Sequence, residues 1–448
     1  MQRLLIANRG EIAVRIARTA RALGIETVAV VSEADREALI TEVVDAVAVI
    51  GPAPAAQSYL SQDAILDAAR AHGADAVHPG YGFLSENAGF ARRVIDAGLV
   101  WVGPEPATIE LMGDKARAIV AAREAGVPTL PGSDGALGDD DDAPAAAAAV
   151  GFPLLIKARA GGGGRGIRLV RSPEEFDEAL SIARSEARAS FGDDAVYLER
   201  FVNHARHVEV QILGDGSDAI HLGDRDCSMQ RRSQKVLEEA PAPGLPDATR
   251  ERIRQSSVDL ARACGYSGAG TVEFLFDPAS GEAFFIEMNT RLQVEHPVTE
   301  ALTGLDLVAE QLRIADGDPL SLTQDEVELD GHAIECRINA EDPSRGFFPS
   351  PGTIERFSWP EDVRMDAGFR AGSVVTPFYD SLVAKVIVHA DDRHAAIAAM
   401  ESALADTVID GIRTTLPLHR ALVNAPAFRE VAHYTTFIEA EPEAWNLS

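Results

Sequence analysis

The sequence up to about Pro104 alternates between short apolar runs and segments with helical periodicity, which restricts the possible folds more than any other feature. "RLLIA" is typical of a buried strand, "NRGEI" of a turn and "ETVAVV" of a second strand. The helix between them carries apolar residues at helical spacing, namely Ile12, Ile16, Ala20 and Leu23. "DAVHP" and "LVWVG" are further strands. This alternation predicts a parallel, doubly wound sheet, although "NRGE" lacks the GxGxxG pattern of dinucleotide sites.

The chain has 448 residues, more than one compact core usually accommodates, so we expect two or three domains. Its formal net charge of −29 excludes nucleic acid as a partner, because no excess of Lys and Arg can neutralise phosphates. Three distant cysteines, Cys227, Cys264 and Cys336, argue against a disulfide framework or a thiolate zinc site. No apolar run is long enough for a secretory signal or a membrane span, so we expect a soluble cytoplasmic protein.

A glycine-rich loop lies in "LLIKARAGGGGRGIRLV", where Lys157 precedes the four glycines Gly161 to Gly164. A P-loop has the reverse order, with its lysine after the glycines and at the start of a helix. The pattern here predicts a strand, a flexible loop and a second strand. Exposed backbone N–H groups in the loop suit phosphate oxygens, so a mobile phosphate lid is favoured over a slack surface hairpin.

Two carboxylates occupy an otherwise apolar hairpin, "GTVEFLFDPASGEAFFIEMN". If the hairpin turns near residue 280, Glu273 and Glu287 lie opposite each other, about 5 Å apart, and repel unless a cation bridges them. Asn289 follows on the same face, about 7 Å along the strand. Hard oxygen ligands without a soft ligand favour Mg²⁺, which binds carboxylates together with substrate phosphates. The alternative is that one glutamate simply faces solvent.

Arg291, Gln293 and Glu295 continue the strand alternation downstream of this hairpin. The planar guanidinium of Arg291 matches a carboxylate-like anion, and Glu295 is a candidate general base for a substrate held there. An ordinary surface ion pair is the alternative interpretation.

Long, specific segments recur along the chain, among them "IANRGEIAVRI", "HPGYGFLSENA", "LMGDKA", "RHVEVQ", "RDCSMQRR", "QKVLEEAPAP", "FIEMNTRLQVEHPVTE" and "ECRINAEDP". Over nearly the whole length they resemble biotin carboxylase, the ATP-grasp component of biotin-dependent carboxylases. The resemblance implies an ATP-grasp fold of α/β and α+β class. A Rossmann-like doubly wound domain is expected at 1–104, an ATP-grasp domain at 105–328 with a mobile lid at about 131–203, and a C-terminal biotin carboxylase domain at 329–448.

The resemblance also implies ATP with Mg²⁺ or Mn²⁺, and biotin as a carrier-bound substrate. The implied ATP-binding residues are Lys115, Lys157, Gly162, Gly163, Gly164, Gly166, Glu199, Val202, His207, Gln230 and Leu275. In this assignment the lysines bind the phosphates of ATP, and the glycine loop covers these phosphates. The remaining residues contact the adenine and the ribose. The implied metal ligands are Glu273, Glu287 and Asn289, in agreement with the hairpin argument.

For bicarbonate, the resemblance implies a pocket of Lys235, Arg291, Gln293, Val294 and Glu295. The implied catalytic residues are Lys235, Arg291, Glu295 and Arg337. By resemblance, Glu295 would remove the bicarbonate proton and Arg337 would stabilise the biotin enolate, with Tyr81, Gly82 and Arg337 at the biotin ring. In the implied reaction, ATP phosphorylates bicarbonate to carboxyphosphate, whose breakdown releases CO₂ for biotin.

Three departures from the family pattern stand out. Ser233 occupies a position where the family often has histidine, and Arg159 and Ala160 stand where serine and glycine are common. A biotinyl-lysine MKM motif is absent from the sequence, so we expect biotin on a separate carrier protein or domain. The expected partners are this carrier, a second copy in a homodimer and a carboxyltransferase subunit, with acetyl-CoA or propionyl-CoA as the final acceptor.

Two other functions remain as alternatives. Another ATP-grasp ligase would join a carboxylate to an amine through an acyl phosphate, but Arg337 and "HPGYGFLSENA" argue against it. A non-catalytic scaffold protein would bind nucleotide without turnover. Only Ser233 favours the scaffold, because the charged residues expected of a working site are present.

Overall fold

A computed structural model describes residues 1–133, 135–138, 142–158, 166–191 and 194–445. The chain divides into two compact units. The main unit comprises residues 1–127, 206–276 and 281–448, and the insert unit comprises residues 128–205 with 277–280. No helix among the described residues combines the length and apolar composition needed to cross a bilayer.

The N-terminal part of the main unit contains a five-stranded sheet. Its elements are β1 (Arg3–Ile6), α1 (Gly10–Ala22), β2 (Glu26–Val31), α2 (Ile40–Val43), β3 (Ala46–Val49), α3 (Gln62–Ala71), β4 (Ala76–His78), α4 (Ala88–Asp96), β5 (Val100–Trp101), α5 (Pro106–Gly113) and α6 (Lys115–Glu124). The strand order is β3–β2–β1–β4–β5 and every neighbouring pair is parallel. This confirms the sheet predicted from the alternation.

Buried side chains cover both faces of this sheet. On β1, Leu4 belongs to one apolar cluster with Ile12 of α1, whereas Leu5 belongs to a second cluster with Ile65 of α3 and Phe90 of α4. Successive strand residues point to opposite faces, so a parallel strand buried on both sides is apolar throughout.

The first helix ends earlier than its apolar spacing indicated. Leu23 lies beyond the end of α1 and is 45 % exposed, so its predicted place on the helix is wrong. Gly24 follows with φ +75°, a left-handed conformation that glycine adopts readily and that ends helices.

The insert unit is a small three-stranded sheet with two helices. Its elements are α7 (Ala143–Val150), β6 (Leu154–Ala158), β7 (Ile167–Val170), α8 (Pro173–Phe191) and β8 (Val196–Arg200). The strand order is β7–β6–β8, and both pairs are antiparallel. Lys157 is paired in register with Ile167, which confirms the two predicted strands. The intervening residues 159–165 lie outside the described part of the chain.

The rest of the main unit is built on one large sheet. Its elements are β9 (Arg206–Asp215), β10 (Ala219–Arg231), β11 (Gln234–Ala240), α9 (Asp247–Ala263), β12 (Ser267–Asp277), β13 (Glu282–Asn289), α10 (His296–Thr303), α11 (Leu307–Ala315), β14 (His332–Asn339), β15 (Glu341–Asp342), β16 (Phe348–Pro349), β17 (Gly352–Thr353), β18 (Arg356–Ser358), β19 (Arg364–Ala367), β20 (Val374–Val375), β21 (Leu382–Ala390), α12 (Arg393–Asp406), β22 (Val408–Asp410), α13 (Leu416–Asn424), α14 (Pro426–Arg429) and α15 (Phe437–Ala440).

Eight of these strands form the large sheet, in the order β13–β12–β9–β10–β11–β14–β21–β19. Strands β14, β21 and β19 come from the region expected to be a separate C-terminal domain, yet they extend the sheet of β9 to β13 without a break. The junction is the antiparallel pair β11–β14, where Glu238 is in register with Glu335. The three cysteines are free, as expected.

Candidate active site

The main unit contains a cavity of about 1290 Å³ beside the large sheet. The site residues predicted from the sequence that line it are Tyr81, Gly82, Lys115, His207, Gln230, Lys235, Glu273, Leu275, Glu287, Asn289, Arg291, Gln293, Val294, Glu295 and Arg337. Ser233 lies on its wall as well. Of the others, Lys157, Gly166, Glu199 and Val202 belong to the insert unit, and Gly162, Gly163 and Gly164 lie outside the described residues.

Strand pairing brings charged side chains from four neighbouring strands together. Glu273 of β12 and Arg225 of β10 are each in register with Glu209 of β9. Gln230 of β10 is in register with Lys235 of β11. Directly opposed residues in neighbouring strands present their side chains on the same face of a sheet. These residues therefore form a row of polar side chains that runs across the four strands.

Lys235 is the centre of this row. Its Nζ lies 2.5 Å from Glu209 Oε2, 2.9 Å from Glu273 Oε1 and 2.6 Å from Glu295 Oε1. Burial alone would lower the pKa of Lys235, but the three carboxylates outweigh burial and raise it well above its usual value. The lysine therefore stays charged and offsets the mutual repulsion of three acids.

Glu295 is held from its other side by Arg337, whose Nη2 lies 2.8 Å from Glu295 Oε2. Burial alone would raise the pKa of Glu295, but the charges of Lys235, Arg337 and Arg225 lower it well below its usual value. The carboxylate is thus ionised at neutral pH. Arg337 also pairs with Glu238, which leaves the guanidinium between two acids.

The predicted strand alternation through Arg291, Gln293 and Glu295 is wrong. Strand β13 ends at Asn289, and Glu295 is the N-cap of α10. Pro297 lies in the first turn of α10, where its fixed φ favours the start of a helix over a continued strand. The irregular segment still directs all three side chains to the cavity.

Three side-chain acceptors hold the guanidinium of Arg291. Its Nε lies 2.9 Å from Glu86 Oε2, its Nη1 2.9 Å from Gln293 Oε1 and its Nη2 3.1 Å from Asn289 Oδ1. A guanidinium bonded through all three nitrogens has little freedom to turn, so it offers an anion in the cavity a fixed planar charge.

The predicted metal ligands lie on the adjacent strands β12 and β13 and face the cavity. Glu273 is buried, and its Oε1 accepts a hydrogen bond from Asn289 Nδ2 at 2.8 Å. The Glu287 side chain is 37 % exposed and lies 3.5 Å from Lys115 Nζ. Two carboxylates and an amide, with no sulfur among them, fit Mg²⁺ or Mn²⁺, and Glu287 is the carboxylate most open to an ion.

His207 connects the metal side of the cavity to Gln230. Its Nε2 lies 3.0 Å from Glu273 Oε2 and its Nδ1 lies 3.0 Å from Gln230 Nε2. Burial alone would lower the pKa of His207, but the Glu273 carboxylate outweighs burial and raises it. Leu275, the register partner of His207, adds an apolar surface to the same wall.

Tyr81 and Gly82 belong to a tight loop opposite the sheet. The Tyr81 hydroxyl donates to Glu11, and the Tyr81 carbonyl accepts from Asn8 Nδ2 at 2.7 Å. A Cβ at Gly80 would lie 2.9 Å from Asn8 Nδ2, so only glycine allows this close approach. The loop thereby presents a fixed tyrosine ring to the cavity.

In the insert unit, Lys157 of β6 and Glu199 of β8 form an ion pair across the sheet. Gly166 has φ +76° and leads into β7, a backbone conformation typical of glycine. Val202 is buried just after β8.

Sequence reasoning missed several charged residues of the site. They are Glu11, Glu86, Glu209, Arg225, Glu238 and Lys385. Arg225 is completely buried, and its Nε lies 2.6 Å from Glu209 Oε1. The available signal was the one that identified Glu273, namely a charged residue inside an apolar strand, and it also applies to Glu209 in "RHVEVQ" and Lys385 in "LVAKVIV".

Three family models match the chain. Residues 1–109 match "Biotin carboxylase, N-terminal domain", residues 114–323 match "Carbamoyl-phosphate synthase L chain, ATP binding domain", and residues 335–440 match "Biotin carboxylase C-terminal domain". Together they cover most of the sequence, including every described residue assigned to the cavity.

Curated relatives are similar over nearly their full length. The biotin carboxylase of Pseudomonas aeruginosa is 53 % identical, with 96 % of each chain covered. Biotin carboxylase 1 of Bacillus subtilis is 49 % identical, with 98 % of each chain covered. A pyruvate carboxylase subunit of Methanothermobacter thermautotrophicus is 46 % identical, with 98 % of this chain and 89 % of the relative covered.

Solved structures are similar as well. The biotin carboxylase domain dimer of Hydrogenobacter thermophilus 2-oxoglutarate carboxylase, in complex with MgADP, ADP and bicarbonate, is 45 % identical with a TM-score of 0.88, covering 100 % of this chain and 99 % of that one. A Campylobacter jejuni biotin carboxylase complex has a TM-score of 0.89 at 44 % identity, with 98 % of each chain covered. Kluyveromyces lactis urea carboxylase has a TM-score of 0.81 at 37 % identity, with 98 % of this chain and 33 % of that one covered.

Proposed function

The chain belongs to the biotin carboxylase family. We propose that the residues of its cavity catalyse the carboxylation of biotin on a separate carrier, with ATP and bicarbonate as the other substrates. This reaction would be the first half-reaction of an acyl-CoA carboxylase. One observation carries the assignment of the cavity. An ionised carboxylate, Glu295, is held between the partly buried cations Lys235 and Arg337 at the wall of that cavity. Such a carboxylate can take a proton from an anion that the neighbouring cations attract.

In the proposed first step, bicarbonate lies against Lys235, Arg291, Gln293 and Val294 and loses its proton to Glu295. A bicarbonate oxygen then attacks the γ-phosphorus of MgATP, the bond to the ADP oxygen breaks, and carboxyphosphate forms. Glu273, Glu287 and Asn289 are the residues that would hold Mg²⁺, and the bound ion would neutralise charge on the phosphates. Lys115 lies next to Glu287 and supplies a further cation for the phosphates.

In the proposed second step, carboxyphosphate breaks into CO₂ and phosphate. The basic phosphate takes the N1′ proton of biotin, and the resulting enolate attacks CO₂ to give carboxybiotin. The proton held by Glu295 leaves to solvent when the products depart. Arg337 would stabilise the enolate oxygen, because Glu295 and Glu238 hold its guanidinium in place. Tyr81 and Gly82 would lie against the biotin ring.

We assign the insert unit as the lid, and this assignment rests on the family resemblance. Lys157, Gly162, Gly163, Gly164 and Gly166 would bind phosphates, and Glu199 and Val202 would meet the adenine. On the main unit, His207, Gln230 and Leu275 would contact the rest of the nucleoside. Excluding water would protect carboxyphosphate from hydrolysis.

The carrier, a carboxyltransferase and a second copy of the chain are the proposed partners. A dimer is described for the Hydrogenobacter thermophilus neighbour. Relatives named for pyruvate, 2-oxoglutarate and urea carboxylation show that one carboxylase fold serves several acceptors. We propose acetyl-CoA or propionyl-CoA as the acceptor, which a partner polypeptide would select.

The test combines the purified chain with MgATP, bicarbonate and a biotinylated carrier domain. We expect ADP release that requires bicarbonate, and carrier that gains one CO₂ by mass. Full turnover without bicarbonate would contradict the proposal. Turnover that requires an amine and a carboxylate would indicate another ATP-grasp ligase, and nucleotide binding without turnover would indicate a scaffold. Adding a carboxyltransferase and a set of acyl-CoA esters would identify the acceptor.

A further inference from the structure

Lys385 of β21 is 0 % exposed and does not belong to the described lining of the cavity, yet it contacts a segment that does. Its Nζ donates to the carbonyl oxygen of Val294 at 2.7 Å. That carbonyl belongs to the peptide group that links Val294 to Glu295. A cation bonded to it fixes the backbone from which the Glu295 side chain projects.

Lys385 is also in register with Arg337 across the antiparallel pair β14–β21. Register partners present their side chains on the same face of a sheet. The two cations therefore secure Glu295 in different ways. Arg337 bonds to its carboxylate at 2.8 Å, and Lys385 bonds to the carbonyl that precedes it at 2.7 Å.

The same ammonium connects this segment to the loop that carries Tyr81. Lys385 Nζ lies 3.3 Å from Glu11 Oε1, and this oxygen also accepts a hydrogen bond from the Tyr81 hydroxyl. A Cβ at Gly368 would lie 2.5 Å from the backbone nitrogen of Glu11, so glycine there allows the residue directly after β19 to approach α1 closely. Asp366, two residues earlier, lies 4.0 Å from Lys385 Nζ.

Stability alone does not explain a lysine at this position. Burial alone would lower its pKa, but Glu11, Glu335 and Asp366 outweigh burial and raise it, so the ammonium persists inside the core. Buried ion groups can often be replaced by apolar side chains of similar volume without loss of stability. A retained buried cation that touches two cavity-lining segments indicates a positional role.

We propose that Lys385 is a positioning residue for the reaction, which holds the Val294–Glu295 peptide against bicarbonate and, through Glu11, the Tyr81 loop against biotin. The inference rests on the proposed function. Lys385 does not touch substrate and acts through the residues that do.

The test compares Lys385→Met with wild type in the bicarbonate-dependent ATP cleavage assay. We expect kcat/KM for bicarbonate to fall by about 10²-fold, the effect of a small misplacement in a catalytic site. The KM for MgATP should stay within about twofold, because the nucleotide contacts are elsewhere. The matched control is Arg393→Met, which removes another partly buried cation, 2.6 Å from Glu239 Oε2 and outside the described lining. It should leave kcat/KM for bicarbonate unchanged.

The inference is overturned if Lys385→Met retains kcat/KM for bicarbonate, or if its kinetic parameters for both substrates decline together with the folded fraction. If Lys385→Met fails to fold, the double variant Lys385→Met/Asp366→Asn restores the charge balance and should show the same selective loss. Lys385→Arg, which keeps the charge, should recover part of the lost kcat/KM. A wild type without bicarbonate-dependent cleavage would overturn the proposed function, and this inference with it.

Discussion

The ammonium of Lys235 lies 2.6 Å from Oε1 of Glu295, with the two side chains 12 % and 0 % exposed. Because the Glu295 side chain is fully buried, its charge is stabilised by the neighbouring cations and not by direct contact with water. The same ammonium also contacts Glu209 and Glu273. Lys235 is therefore the shared counter-ion of Glu295, the proposed base, and of Glu273, a proposed metal ligand. It also pairs with Glu209 of β9.

Glu295→Gln should reduce bicarbonate-dependent ATP cleavage by at least about 10²-fold, since the amide keeps the volume but cannot accept the proton. MgATP binding, measured by calorimetry, should persist, because the nucleotide contacts are assigned to other residues. Glu310→Gln is the matched control, since Glu310 is also buried but lies in α11 and pairs with Arg313. Near-normal cleavage by Glu295→Gln would refute the role of Glu295 as the base.

Glu287→Gln should raise the Mg²⁺ concentration required for half-maximal turnover by about tenfold or more, because it removes the carboxylate most open to an ion. The KM for bicarbonate should change little. Glu282→Gln, an exposed glutamate at the start of the same strand, should leave the Mg²⁺ requirement as it is. An unchanged Mg²⁺ titration for Glu287→Gln would remove Glu287 from the set of metal ligands.

Lys235→Met should lower the free energy of unfolding by about 3–5 kcal/mol at neutral pH, because it removes a cation that three buried carboxylates share. The loss should shrink as the pH falls and the carboxylates become protonated. Urea unfolding at pH 5 and pH 8 measures both effects. Lys115→Met, which removes a lysine that is 79 % exposed, should leave the unfolding free energy within about 0.5 kcal/mol of wild type.

Glu238→Gln should become more stable than wild type as the pH rises. Burial raises the pKa of Glu238 to about 7, above the value near 4.3 expected in an unfolded chain. Its contribution to stability is therefore fully present below pH ~4.3 and is lost as the pH rises through about 7. The difference between these two pKa values corresponds to at most about 4 kcal/mol at pH 9, whereas variant and wild type should agree at pH 4.

Glu239, the next residue on β11, provides a control for which the expected change in stability has the opposite sign. Burial alone would raise the pKa of Glu239, but His332 and Arg393 outweigh burial and lower it. Glu239→Gln should therefore be less stable than wild type at pH 8, where the native carboxylate is charged and paired. The assignment fails if urea unfolding shows the two variants changing stability in the same direction at pH 8.

Much of the site was predictable because some of its residues conflict with their local pattern. Glu273 and Glu287 are acids in an apolar hairpin, and that conflict alone predicted that both would face a common site. The parallel N-terminal sheet followed from periodicity, since strands such as β1 are apolar on both faces. The roles of Lys235, His207 and Arg337 came from the family resemblance, because a single charged residue in a strand does not reveal its partners.

Local pattern failed where long-range contacts decide the conformation. The predicted strand alternation extended through Gln293, past the observed end of β13. In the structure the strand ends at Asn289 and the chain turns to begin α10. The pairing of β11 with β14 joins segments roughly a hundred residues apart, and it places Arg337 beside Glu295. The sequence around Lys385 did not indicate its contact with Val294, because that contact depends on the packing of two elements that are distant in sequence.

The sequence by itself determined most of the elements, the family and the chemical types available to the site, because periodicity and residue type are properties of neighbouring positions. Tertiary structure alone decided that one sheet of eight strands would carry the site, and that one buried lysine would serve three acids. The physical reason is that burial and charge pairing depend on which strands become neighbours, and strands as distant in sequence as β11 and β14 become neighbours only through the packing of the whole chain.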